Sequence, residues 1–335
     1  MEEEDFSKKH HTILKKDDIL YFLHVPKTAG LTLIYILNNF FDYSSILIEH
    51  SWDQLLPKLP KEFSKYRFVR GHFGYGFHRQ FSKKPIYITM LRDPVEQSIS
   101  SLEMLRRLSK LRSQYSISEK TSFEDLIESK ITRNLQTLYI ALDVDVLESI
   151  KSIDRKNFSK FNFHYLKEYV QSSISDQKMI EIAKKHLSEF SFVGLTEKFD
   201  ESVLLLCYTF DWIPIRSRIK INVSKKRLMQ KDLSKKSMDL IREKTNLDAE
   251  LYNYGKQLFE QRYLEMVHEL KEKYADVRLA KVPKTKTVYE LLKKYYIERH
   301  GRMKFMKEVF QFNLRKINFV IKYGWKTRIK PQIFR

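Results

Sequence analysis

Cysteine is almost absent from this chain of 335 residues. Cys207 stands alone, which excludes an intrachain disulfide and a cysteine-based zinc site. No stretch approaches the roughly 20 apolar residues that a membrane-spanning helix needs. The N-terminal "MEEEDFSKKHHTILKKDDIL" lacks the apolar region of a signal peptide. Together with the single thiol, which suits a reducing compartment, this reads as a soluble, cytoplasmic protein. Acidic residues are also in short supply: 42 Asp and Glu face 62 Lys and Arg, a net charge of +20. Such an excess favours an anionic partner, whether nucleotide, acidic glycan, nucleic acid or membrane, with a basic surface serving solubility as the plainer alternative. Glycine and proline are scarce at 8 each, so a place where both flank a charged residue stands out.

What is present suits a folded core. The chain is 42% hydrophobic and 13% aromatic, too apolar for disorder and long enough for one large domain or two ordinary ones. "ILYFLHV" (residues 19 to 25), "YRFVRGHF", "KPIYITMLRD" and "FSFVGL" are short apolar runs that read as buried strands. Helical stretches separate them. "GLTLIYILNNFF" follows a glycine turn, and "DPVEQSISSLEMLRRL" starts with Asp93 as N-cap and Pro94 at its first position. "TSFEDLIES" offers a capping box through Ser122 and Asp125 or Thr121 and Glu124. "ISDQKMIEIAKKHLSEF", "EKFDESVLLLCYTF" and "NLDAELYNYGKQLFEQRYLEMVHEL" read as further helices. Strands alternating with helices predict an α/β fold with a mainly parallel sheet. By composition, residues 1–18 form a polar N-terminal segment, 19–275 the main domain, and 276–335 a basic, aromatic-rich extension of amphipathic helices. That extension is either a helical cap on the core or a face for a membrane or polyanion.

The stretch "YFLHVPKTAGLTL" runs from a strand through a tight turn into a helix. A helix N-terminus behind a small-residue loop binds anions, because unpaired amides and the helix dipole both face outward. Lys27 adds a charge there, Thr28 and Thr32 add hydroxyls, and Ala29 and Gly30 keep the approach open. It is not a Walker A loop, since Lys27 precedes the glycine. Taken alone, it is equally a plain connection. A second strand-to-helix junction carries Arg92, with Ser100 about two helical turns on. Arg92 sits at the carboxyl end of its strand, where open α/β sheets bind ligands. Two such loops at one sheet edge point to a ligand with two phosphate groups.

These motifs carry a resemblance. "HVPKTAGLT" resembles the 5′-phosphosulfate loop of sulfotransferases that use 3′-phosphoadenosine 5′-phosphosulfate (PAPS), and "LRDPVEQSISS" is similar to their 3′-phosphate-binding segment. "RGHFGYG", "ITRNLQTLYI", "FSFVGLTEKFDESVLLL" and the late "NVSKK…LDAELYNYGKQLF" resemble further blocks of the type 2 branch, which includes the heparan/dermatan uronosyl 2-O-sulfotransferases. The resemblance spans residues 19 to 262 and implies a P-loop-like three-layer fold, a central parallel sheet flanked by helices. It implies a soluble, bacterial-type PAPS-dependent enzyme that sulfates a carbohydrate hydroxyl, on an acidic or lipid-linked glycan, with no metal. Nucleic acid is disfavoured as a partner. Cofactor contacts are implied at Pro26, Lys27, Thr28, Ala29, Gly30, Leu31, Thr32, Arg92 and Ser100, and in the late loop at Asn222, Ser224 and Lys225. Leu31 is a departure, because the family usually has a hydroxyl residue there.

Sulfuryl transfer places growing charge on the leaving phosphate, which Lys27 is expected to stabilise. A base must take the acceptor proton. His72, among glycines at a strand end, is either that base or a structural cap, and the resemblance implies the base. Asn134 and Gln136 either orient the acceptor sugar or hold the fold. The competing reading from another class is a non-catalytic anion-binding protein on the same fold.

Overall fold

The structure is a computed structural model that describes residues 11–59, 61–114, 117–129, 132–144, 174–216, 228–274 and 284–323. Four strands, β1 (Leu20–Leu23), β2 (Phe68–Gly71), β3 (Ile86–Leu91) and β4 (Phe192–Leu195), form an all-parallel sheet in the order β2-β1-β3-β4. Leu23 pairs with Gly71 on one side and Thr89 on the other, and Thr89 pairs with Val193. All four residues of β1 are fully buried. A strand covered on both faces has no reason to alternate, which is why it reads as one apolar run.

The helices are α1 (Gly30–Leu37), α2 (Trp52–Leu55), α3 (Pro94–Arg107), α4 (Ser109–Gln114), α5 (Phe123–Glu128) and α6 (Leu135–Ala141). They continue as α7 (Asp176–Glu189), α8 (Phe199–Thr209), α9 (Lys235–Lys244), α10 (Asn246–Tyr274), α11 (Thr285–His300) and α12 (Arg302–Tyr323). Their starts obey local chemistry. Asp93 accepts the Glu96 amide at 2.9 Å, and Pro94 needs no donor of its own. Of the two capping boxes on offer, Ser122 with Asp125 is the one formed.

The main core joins the sheet to α1, α6, α7, α8 and α10, and Val288, Leu291, Leu292 and Tyr295 of α11 are buried in the same core. A smaller cluster joins Ile99, Leu102 and Leu105 of α3 to Leu126 and Ile127 of α5 and Ile241 of α9.

The strand order decides where a ligand can sit. From β1 the chain crosses to β2 on one side of it, whereas β3 and β4 lie on the other. Right-handed crossovers in opposite directions send their helices to opposite faces, and a crevice opens between the carboxyl ends of β1 and β3. The lysine loop follows β1 and Arg92 follows β3, so both border that crevice.

Candidate active site

The lysine loop is built from unusual backbone. Lys27 and Ala29 have φ of 68° and 59°, the left-handed region, which costs a side-chain-bearing residue about 1–2 kcal/mol each. Strain of this kind persists where surrounding contacts impose it. Here the Thr28 hydroxyl donates to the Val25 carbonyl at 2.8 Å, closing the turn from inside. Gln97 Nε2 donates to the Pro26 carbonyl at 3.0 Å, and Arg92 Nη1 donates to the Lys27 carbonyl at 3.0 Å. Ala29, the N-cap of α1, has no side chain to cap the helix; the Thr32 amide turns back to the Ala29 carbonyl at 3.0 Å, and Ala29, Gly30 and Leu31 bring the start of α1 to the cavity described below. Gly30 has a separate reason to be glycine: a Cβ there would fall 2.0 Å from Nε2 of the buried His24 ring.

His72 follows β2 and is fixed by main-chain bonds. Its amide donates to the His50 carbonyl at 2.7 Å, and its Nδ1 lies 2.6 Å from the His24 carbonyl. A carbonyl only accepts, so Nδ1 carries the proton and Nε2 keeps its lone pair. Desolvation pushes the His72 pKa down to about 4, opposed by that carbonyl bond and aided by neighbouring His50. His24, with its ring centroid 4.3 Å from that of His72, is held well below the usual imidazole range, first by burial and then by His72. Both rings are therefore neutral at pH 7.

This neutrality has a stability consequence. Unfolded imidazoles take up protons near pH 6.5, while folded His72 does so only near pH 4. Between those values the unfolded state binds more protons, so stability falls as pH falls. His24, and His11 and His186, which are also lowered mainly by burial, act with the same sign. Thermal melts should show Tm dropping between pH 6.5 and 4.5, with a shallower drop in His72→Gln. A Tm that holds level over this range would contradict the buried neutral histidines.

Arg92 is 8% exposed, and burial lowers its pKa. Its guanidinium bonds the Lys27 carbonyl and, through Nη2, Glu96 Oε2 at 3.3 Å. Its backbone is clamped reciprocally by Gln136, whose Oε1 accepts the Arg92 amide at 3.0 Å while Nε2 donates to the Arg92 carbonyl at 2.8 Å.

A cavity of about 700 Å³ collects Pro26, Lys27, Ala29, Gly30, Leu31, His72, Arg92 and Ser100. Four sequence candidates do not line it. Thr28 and Thr32 are buried under the loop. Asn134 is fully buried, bonded through Nδ2 to Asn246 Oδ1 at 3.2 Å and accepting the Leu247 amide at 3.1 Å. Gln136 serves the Arg92 backbone. The buried Asp248 carboxylate accepts the Gln136 and Thr137 amides at 3.1 and 2.7 Å and so caps α6 from α10. Of the two roles open for Asn134 and Gln136, these contacts serve the fold. Asn222, Ser224 and Lys225 lie outside the described residues.

The cavity also holds residues that sequence reasoning missed. Arg107 lies on the same face of α3 as Ser100, two turns on, and helical spacing would have found it. Arg106 and Arg112 extend this basic wall; Arg112 pairs with Glu119. His50 arrives because the chain after Ile46 runs beside β2, and Thr196 because β4 ends beside β3. No local pattern announces either.

No protein-family model matches the chain. It is similar to heparan-sulfate 6-O-sulfotransferase 1-B of Danio rerio, 24% identical over 309 residues that cover 77% of this chain and 70% of that protein. Heparan-sulfate 6-O-sulfotransferase 1 of Cricetulus griseus is 23% identical over 296 residues, covering 75% and 69%. Heparan-sulfate 6-O-sulfotransferase 3 of Mus musculus is 22% identical over 298 residues, covering 75% and 59%. These are 6-O enzymes, whereas the motifs resemble the 2-O branch, and identities this low assign the chain to neither. The relatives do overturn the cytoplasmic placement: heparan-sulfate 6-O-sulfotransferases are Golgi-lumenal enzymes. Among the described residues no helix is long and apolar enough to cross a membrane. With its loop-and-arginine crevice at the sheet edge, the chain is similar to heparan-sulfate sulfotransferases along about three quarters of its length.

Proposed function

We propose that the chain transfers a sulfuryl group from PAPS to a carbohydrate hydroxyl. One observation carries the reading: Lys27, the α1 N-terminus, Arg92, Ser100 and His72 line a single cavity at the crevice between β1 and β3. About 700 Å³ falls in the range of small-molecule and cofactor sites. The donor set suits a nucleotide with phosphates at both ends. The uncapped helix N-terminus and Lys27 receive one anionic group, and the desolvated Arg92 guanidinium with Ser100 receives the other. PAPS supplies an activated sulfuryl group and leaves as adenosine 3′,5′-bisphosphate.

The chain's own residues then have distinct tasks. His72 Nε2, with its lone pair free of the Nδ1 bond, takes the acceptor proton. Lys27 sets positive charge beside the loop where negative charge grows. Gln136 keeps Arg92 at the crevice mouth by holding its backbone. A sugar acceptor is supported by the names of the relatives, which act on heparan sulfate. The basic wall of Arg106, Arg107 and Arg112 suits an acidic one. A non-catalytic anion binder would have no use for the desolvated, tautomer-locked His72.

Calorimetric titration tests the cofactor site. Adenosine 3′,5′-bisphosphate should bind with micromolar or tighter affinity and clearly better than adenosine 5′-monophosphate. Arg92→Ala should weaken the bisphosphate by roughly 10- to 100-fold, the value of a charge-assisted pair, and erase the preference. Equal affinity for the two nucleotides in wild type would remove the PAPS reading. Transfer of labelled sulfate from PAPS to a desulfated polysaccharide then tests the reaction.

A further inference from the structure

Helix α12 is apolar on two separate sides. Phe305, Val309 and Phe312 fall within an arc of about 60° at 100° per residue, and this side packs on the protein. Phe305 is buried with Tyr296 and Ile213, Phe312 has its ring centroid 5.2 Å from that of Phe40, and Arg315 beside them reaches Asp42 at 2.7 Å. Met303, Met306, Phe310, Leu314 and Ile317 fall within about 80° on another side, roughly 130° round the axis. They are 88%, 60%, 67%, 45% and 52% exposed. The stripe runs about 21 Å along the helix at 1.5 Å per residue. Scattered surface apolar residues need no explanation, but a continuous stripe on a helix already packed elsewhere does.

Charge selects the occupant. Lys304 and Lys307 flank the stripe on one side and Arg302 on the other, all exposed. A second copy of the chain laid stripe to stripe would bring these like charges together, whereas an anionic bilayer would meet them with headgroups. The chain that follows, "GWKTRIKPQIFR", continues the composition with Trp325, Lys326, Arg328, Lys330 and Arg335 and has no acidic residue.

We propose that this stripe docks on an anionic lipid surface, with α12 lying in the headgroup plane, its apolar side chains in the acyl boundary and its lysines reaching phosphates. Both sequence-level alternatives for the basic extension then hold, one on each side of the same helix. The proposal involves no cavity residue and stands apart from the sulfotransferase reading.

Flotation of the full chain with lipid vesicles tests it. Vesicles of phosphatidylcholine with about one-third phosphatidylserine should carry the protein, and pure phosphatidylcholine should bind it roughly tenfold less. Phe310→Ser combined with Ile317→Ser should cut binding to anionic vesicles roughly tenfold. The melting temperature and bisphosphate affinity should stay as in wild type. No flotation by wild type overturns the proposal. So does unchanged flotation of the double variant, which would mean bulk charge without docking. Sedimentation showing a dimer that the double variant splits, without vesicle binding, would make a second copy the occupant and equally overturn it.

Discussion

Replacement of His72 by alanine is expected to lower kcat by roughly 10²- to 10⁴-fold, the usual worth of a positioned general base. Bisphosphate affinity should stay within about twofold, because the role proposed for His72 is on the acceptor and not on the nucleotide. The expectation rests on geometry. The Nδ1 bond to the His24 carbonyl fixes the tautomer, and the ring lines the same cavity as Lys27 and Arg92. Its pKa near 4 keeps Nε2 unprotonated across the physiological range. In kcat/KM, which reports the free enzyme, the acid limb should therefore lie near pH 4 and well below that of a free imidazole. In kcat the limb should move up, because an anionic donor bound nearby favours the imidazolium. Added imidazole should partly restore the alanine variant. Undiminished turnover in that variant, or an acid limb near pH 6.5 that disappears with it, would assign His72 a structural role or a different environment.

Lys27→Ala is expected to lower kcat by roughly 10²- to 10³-fold, comparable with losing one preorganised stabilising group at a developing charge. This substitution separates the ammonium from the loop that carries it. Lys27 adopts φ of 68°, and alanine tolerates that conformation no better and no worse than lysine. Its carbonyl still accepts from Arg92 Nη1 whatever the side chain. The loop should thus keep its shape while losing its charge, and the loss should show in kcat more than in bisphosphate affinity. Lys27→Arg should recover only part of the rate, since a planar fork replaces a compact point charge. If Lys27→Ala turned over at the wild-type rate, the lysine would be a bystander and the helix N-terminus alone would have to stabilise the leaving group.

Much of the architecture is decided locally, and so the chain announces it. Asp93-Pro94 and Ser122 with Asp125 start their helices through bonds made within three residues. β1 declares its burial by having no charged residue and only the Tyr21 hydroxyl as a polar side-chain group, and the order of strands and helices calls for a parallel sheet. Lys27, Arg92 and Ser100 were legible for the same reason, since each stands at a strand-to-helix junction or one helical face beyond it. What the sequence left open depends on partners far along the chain. That Thr28 turns inward, that Gln136 clamps Arg92 instead of facing the cavity, and that Asp248 caps α6 follow from contacts spanning 44 to 112 residues in the last two cases. His50 and Thr196 reach the cavity only because parallel strands bring distant loop ends to one edge. The neutrality of His72 and His24 is likewise tertiary: a pKa is set by what surrounds the ring, and burial against another imidazole is invisible until the sheet is assembled. The two-sided character of α12 was present in its spacing, but only packing showed which side the core claims and which it leaves exposed.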